Sequence, residues 1–212
     1  MKRRTFLATA LAAANASSLL AALRGERWDE ATEVLEHATA KKQVDAAVLH
    51  VVQRQESFTR HFGTAASANA MFLLGSISKP INVSAVMSLF DQGEFQLDNR
   101  VQKFLPQFKD AGREDVTIRH LLTHLSGLPD QLPDNNKLRK RHAPLEEFVE
   151  QALRTSLAFK PGTQYQYSSM GILLVTRVGE ILSDMDWVAL VDRNVFGPLG
   201  MNHSAQGLGR FK

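Results

Sequence analysis

The stretch from Ser76 to Gly93 constrains this chain more than any other. Ile77, Ile81, Ala85 and Leu89 recur at a spacing of four, and Val83, Val86, Met87 and Phe90 cover another side. Residues four apart lie on one helix face, and a helix that is apolar nearly all round is a buried one. Pro80 fits the first turn, where its missing N–H is not needed, and Gly93 is a stop just past the last apolar residue. The head of this helix reads Ser76-Ile77-Ser78-Lys79. Positions i and i+3 share a face, so Lys79 Nζ can come back to Ser76 Oγ. Lysine is almost never fully buried unless paired, and burial disfavours its charged form. A serine hydroxyl becomes a nucleophile when a base takes its proton. The pattern therefore proposes a serine hydrolase with lysine as the base. Ser-x-x-Lys also arises by chance, with the serine as a helix cap and the lysine as a solvated charge, so the rest of the chain has to decide.

The bulk composition removes several function classes. An apolar fraction of 44% is enough for a real core, and 212 residues suit one domain or slightly more. The formal charge of +3 comes entirely from Lys2, Arg3 and Arg4, so the remainder is balanced and gives no reason to expect nucleic acid. With no cysteine, disulfides, a thiol nucleophile and Cys-based metal sites are excluded. The N-terminus reads as an export signal over residues 1–22. Lys2-Arg3-Arg4 is a charged head with twin arginines, Phe6 to Ala14 is apolar, and Ala14-Asn15-Ala16 offers small residues for cleavage. Thr9, Asn15, Ser17 and Ser18 interrupt the apolar run, so no stable membrane span is expected and the chain reads as exported, to the periplasm or beyond.

Along the rest, Trp28 to Lys42 reads as an amphipathic helix, and Val44–Val52 with Ser57–Phe62 as a strand pair. Leu97 to Phe108 is irregular. Arg119 to Leu125 is a short helix ended by Ser126-Gly127-Leu128-Pro129. Gln131 to His142 reads as a polar surface excursion, and its basic run from Lys137 as a solvated loop rather than a polyanion patch. Leu145–Leu153, Gly171–Leu182 and Trp187–Phe196 read as helices, with a turn at Pro161-Gly162 and an extended piece from Tyr165 to Ser169. Strands in front and helices after them give an α+β class.

Five separated stretches then agree in order and spacing. They are Phe72–Lys79, Gly93–Asp98 with Val101–Pro106, Val116–Leu128, Pro161-Gly162-Thr163 through Tyr167-Ser168-Ser169, and Pro198–Met201. Together they resemble the serine β-lactamase and penicillin-binding-protein-like family, nearest its class C branch with esterase and D-aminopeptidase relatives. The resemblance implies a β-lactamase/transpeptidase-like fold, an antiparallel sheet flanked by helices with an all-helical lobe, over residues 23–212. It implies Ser76 as the acyl-forming nucleophile, Lys79 as its proton acceptor and Tyr167 as the acid/base partner. A tyrosine with a pKa near 10 is a poor base unless cationic neighbours lower it. The Ser76 N–H would be one oxyanion donor. Ser169 stands where the family usually has Asn, so it would meet substrate with one donor, which favours esters over amides and β-lactams. No Lys-Thr-Gly or His-x-Gly triplet follows Tyr167. The family's third motif, with its C-terminal strands and helix, is therefore expected to be missing by C-terminal truncation. One lost oxyanion donor costs on the order of 3–4 kcal/mol, which predicts weak activity or none.

The expected partner is a small-molecule or peptidoglycan-like acyl substrate, with no cofactor. His120 and His124 are four apart, but residue 121 is Leu, not the Glu a zincin needs, so no metal is expected. No serine has the Gly-x-Ser-x-Gly setting of an α/β-hydrolase. The reading from a different class is a non-catalytic relative that binds peptidoglycan-type ligands or a partner. Ser169 and the absent third motif favour it; the joint presence of Ser76, Lys79 and Tyr167 opposes it.

Overall fold

A computed structural model of the chain describes residues 28–53 and 56–207. The expected export signal at 1–22 lies outside them. No helix among the described residues is long and apolar enough to cross a membrane. The chain divides into two compact units, with the boundary between Phe72 and Leu73.

The first unit holds helix α1 (residues 28–40) and an antiparallel pair, β1 (Ala46–Gln53) and β2 (Glu56–Gly63). The register runs from Ala46 opposite Gly63 to Gln53 opposite Glu56. A lone two-stranded sheet is marginal in water, so it needs a partner. Helix α1 supplies one: the Trp28 ring lies 5.2 Å from that of Phe58. The sequence reading of helix then strand pair holds here, with ends shifted by a residue or two.

The second unit is helical. It comprises α2 (Ser78–Asp91), α3 (Ile118–Leu122), α4 (Asn135–Lys140), α5 (Leu145–Arg154), α6 (Ser169–Ser183) and α7 (Trp187–Val191), which runs on as a π-helical turn over Asp192–Phe196. Helix α6 is central and packs against α2, α3, α5 and α7. Its buried residues include Met170, Leu174, Val175 and Val178, which join one core with Val86, Leu89, Phe108, Leu121, Leu128, Trp187, Leu190 and Phe196. Each buried aliphatic or aromatic side chain contributes about 1.5–3 kcal/mol, so this cluster dominates the stability of the unit.

The helix ends follow from local chemistry. Thr117 caps α3: its hydroxyl accepts from the His120 N–H, and His120 Nδ1 accepts from the Thr117 N–H. This is a capping box with histidine where Glu or Gln is usual. Ser168 caps α6 by accepting from the Gly171 N–H at 3.0 Å, and Asp186 caps α7. Gly93 follows α2 at φ +81°, the left-handed conformation that glycine enters at little cost.

One sequence expectation changes. The excursion from Gln131 to His142 contains α4, and Leu132, Asn135 and Leu138 are buried. Its basic side chains do remain exposed. Two apolar anchors in a polar stretch are too few to show a helical period, yet enough to dock a six-residue helix.

Candidate active site

Ser76 lies in a single 3-10 turn, Gly75–Ile77, that leads directly into α2. Lys79 follows in the first turn of that helix, with Nζ 3.2 Å from Ser76 Oγ. Tyr167 arrives from the extended segment ahead of α6, 91 positions away in sequence, and its hydroxyl donates to Ser76 Oγ at 2.8 Å. Lys79 Nζ also lies 4.7 Å from the centre of the Tyr167 ring, within cation–π range. All three residues proposed from the sequence therefore meet at one oxygen atom.

Lys79 sets the electrostatics of the group. The neighbouring Lys79 ammonium, and after it the hydrogen bond with Ser76, holds the Tyr167 phenol below its ordinary value. Partial burial and the Asp130 carboxylate push the other way without cancelling this. A phenol so placed releases its proton more readily, which makes it a better base near neutral pH.

The expected burial of this head of α2 is corrected. Ser76 is exposed, Lys79 is half-buried and Ile77 is 64% exposed. The buried residues of α2 are Ala85, Val86 and Leu89. An apolar pattern marks a surface that burial can use, but burial needs a partner. Among the described residues, the core buries that later part and reaches forward only as far as the half-buried Ile81.

Ser169 occupies the first position of α6, where its N–H and its Oγ–H both donate to Asp130 Oδ1, at 2.9 and 2.7 Å. Its single hydroxyl donor is thus already engaged. Ser169 also lines an open cavity of about 310 Å³ with Asp130, Asn135, Arg139, Phe148 and Met170. A second cleft, of about 500 Å³ and lined by residues such as Phe104, Leu153 and Arg177, contains none of these site residues.

Two side chains at the site were not assigned a role from the sequence. Asp130 anchors Ser169, and no local sequence pattern pointed to it. His124 lies against Tyr167, with ring centres 4.8 Å apart. The histidine pair His120 and His124 is divided in its uses, since His120 belongs to the α3 cap. No group of three His, Cys, Asp or Glu side chains able to hold a metal is found among the described residues.

A loop-to-loop zipper carries Tyr167 to Ser76. The Ala158 N–H donates to the Gly127 carbonyl at 2.8 Å, Gly162 to Leu125 at 2.9 Å and Gln166 to His124 at 2.9 Å. Ser168 Oγ donates to the Pro129 carbonyl at 2.9 Å. Gly127 has φ +82°, and a Cβ there would sit 2.5 Å from the Phe159 carbonyl oxygen, so only glycine allows the two strands of this zipper to approach.

The chain is similar to known proteins at several levels. The family model described as "Beta-lactamase" matches residues 31–210. The penicillin-binding protein 4* of Bacillus subtilis is 32% identical over 144 residues, covering 64% of this chain and 30% of its own length. The esterase EstB of Burkholderia gladioli is 34% identical over 157 residues, covering 67% of this chain and 40% of its own length. Among solved structures, a D-stereospecific amidohydrolase from Streptomyces superposes with a TM-score of 0.69 at 24% identity, over 79% of this chain and 53% of that one. The chain thus spans 30–40% of the length of these two sequence relatives. The fold is of the β-lactamase/transpeptidase-like type, and the matched region contains the meeting point of Ser76, Lys79 and Tyr167. By family, then, this chain is a member of the β-lactamase family of serine hydrolases.

Proposed function

We propose that this chain carries the acylation centre of a serine hydrolase, with esters favoured over amides and β-lactams. The observation that carries the reading is the convergence of Lys79 Nζ and the Tyr167 hydroxyl on Ser76 Oγ, at 3.2 and 2.8 Å. Ser76 Oγ bonds to the acyl carbon as the ester C–O bond breaks. Lys79 accepts its proton, which Tyr167 helps pass to the departing alcohol, and water then releases the acid by the reverse relay. Lys79 keeps the Tyr167 phenol inclined to give up its proton. Ser76 lies in the opening turn of the helical segment, where backbone N–H groups lack helical partners, so its N–H is one donor for the oxyanion.

The preference for esters rests on Ser169. Its hydroxyl proton is committed to Asp130, so it has none to offer a substrate amide carbonyl. An ester makes no such demand. The open cavity beside Ser169, with Arg139 and Asn135 on its walls, is of a size to take a side group of a small acyl substrate or a peptidoglycan-like one.

The test is labelling with a fluorophosphonate probe, located by mass spectrometry, followed by turnover of a p-nitrophenyl ester and of a chromogenic β-lactam. We expect the label on Ser76, none on S76A, and a loss of roughly 100-fold or more in labelling rate for Y167F and K79A. Folded protein that takes no label at Ser76 would refute the reading and favour a ligand-binding relative instead.

A further inference from the structure

We propose that His124 is the positioning residue for Tyr167, gripping the tyrosine's two chain neighbours with its own carbonyl and its ring Nδ1. The inference rests on the reading of Tyr167 as the proton relay of Ser76. The His124 carbonyl accepts from the Gln166 N–H at 2.9 Å. His124 Nδ1 accepts from the Ser168 N–H at 3.2 Å. Between these two points the imidazole packs on the Tyr167 ring at 4.8 Å, and edge-on against Tyr165 at 5.9 Å. One residue thus holds the backbone on both sides of the catalytic phenol and packs against the ring itself.

His124 does this from an unfavourable backbone. Its φ is +61°, a conformation that L-residues other than Asn and Asp seldom adopt. The conformation is kept because it turns carbonyl and ring together toward residues 166–168, and because the Leu125 N–H is tied to the His120 carbonyl at 2.9 Å. Strain of this kind persists only where surrounding contacts impose it.

The grip depends on the ring's proton. Nδ1 accepts from Ser168 only while it carries no hydrogen, so the working ring is neutral, with its proton on Nε2. A second proton would set two donors against each other. The charged and titratable groups facing the ring are Lys79 from α2, Asp130 from the loop ahead of α4, and Tyr165 and Tyr167 from the segment ahead of α6. Burial first, then Lys79, oppose a second proton, while Asp130 and then the Ser168 backbone favour it, with the net shift downward.

The experiment combines imidazole and amide nitrogen NMR with the pH profile of fluorophosphonate labelling, on the full chain and on H124N and H124G. Asn keeps an acceptor in the Nδ1 position and tolerates the left-handed backbone, while Gly keeps only the backbone. We expect an unprotonated Nδ1 at neutral pH and a Ser168 amide that titrates with the ring. Labelling in the wild type should show, besides the limb of the Tyr167 phenol, an acidic limb that follows the Ser168 amide titration and is gone in H124N. H124G should label roughly 10- to 100-fold more slowly, and H124N should restore most of that loss. A protonated Nδ1 at neutral pH, an H124N pH profile identical to that of the wild type, or H124G labelling at the wild-type rate overturns the proposal. Should the wild type take no label, the hydrolase reading falls, and the Nδ1 state with the Ser168 amide titration still decides whether His124 grips this segment.

Discussion

Tyr167 owes its lowered phenol pKa first to Lys79, whose ammonium lies 4.7 Å from the ring centre. Replacing the ammonium by an apolar chain of similar length removes the first cause of the lowered phenol pKa. In K79M the phenol should therefore move up toward the ordinary value near 10. The chain has only two tyrosines, so a UV titration of the phenolate on a Y165F background reads Tyr167 alone. An unmoved titration would mean that Lys79 does not hold the phenol. At this scale the sequence was legible where contacts are local. Ser76 and Lys79 are one helical turn apart, and helix geometry alone brings them together. Tyr167 is 91 positions from Ser76 and needed a family resemblance to be named. Asp130 escaped notice because its bond to Ser169 spans 39 positions and leaves no local pattern.

Among the elements, the segment before α6 is held by neighbours rather than by propensity. Its residues pair with the turn after α3 through Gly127, Leu125 and His124. That pairing depends on close approach at Gly127, where a Cβ would stand 2.5 Å from the Phe159 carbonyl oxygen and the backbone is at φ +82°. G127A should cost about 1–3 kcal/mol in a denaturant titration, and it should also slow labelling at Ser76, because the displaced segment carries Tyr167. Loss of stability without any effect on labelling would show that the zipper does not position the phenol. Long apolar helices such as α2 and α6 could be read from their periodicity. Helix α4 could not, because Asn135 and Leu138 are its only buried residues and a six-residue helix shows barely two turns of pattern. Its existence depends on the core it docks against.

For the whole molecule, His120 and His124 couple stability to pH. Burial is the main cause that lowers both pKa values below the ordinary histidine value, with Asp98 opposing at His120 and Lys79 adding at His124. As pH falls below about 6.5, the unfolded chain takes up protons that the folded one still refuses. Stability is therefore full above that pH and declines through the window between it and the two lowered values. The urea midpoint should be lower at about pH 5 than at about pH 7.5, and the difference should shrink in H124N, where one of the two groups is gone. An equal midpoint at both pH values would exclude the coupling. The amino-acid sequence by itself determined the strand pair, the long helices, the family landmarks and the Ser76–Lys79 pair, because each depends on spacing within a few residues. Only the tertiary structure decided that the head of α2 is open to solvent, that Ser169 is tied to Asp130, and that His124 grips both sides of Tyr167. Those outcomes depend on which distant segments pack together, and sidedness along one segment says what can be buried but not what arrives to bury it.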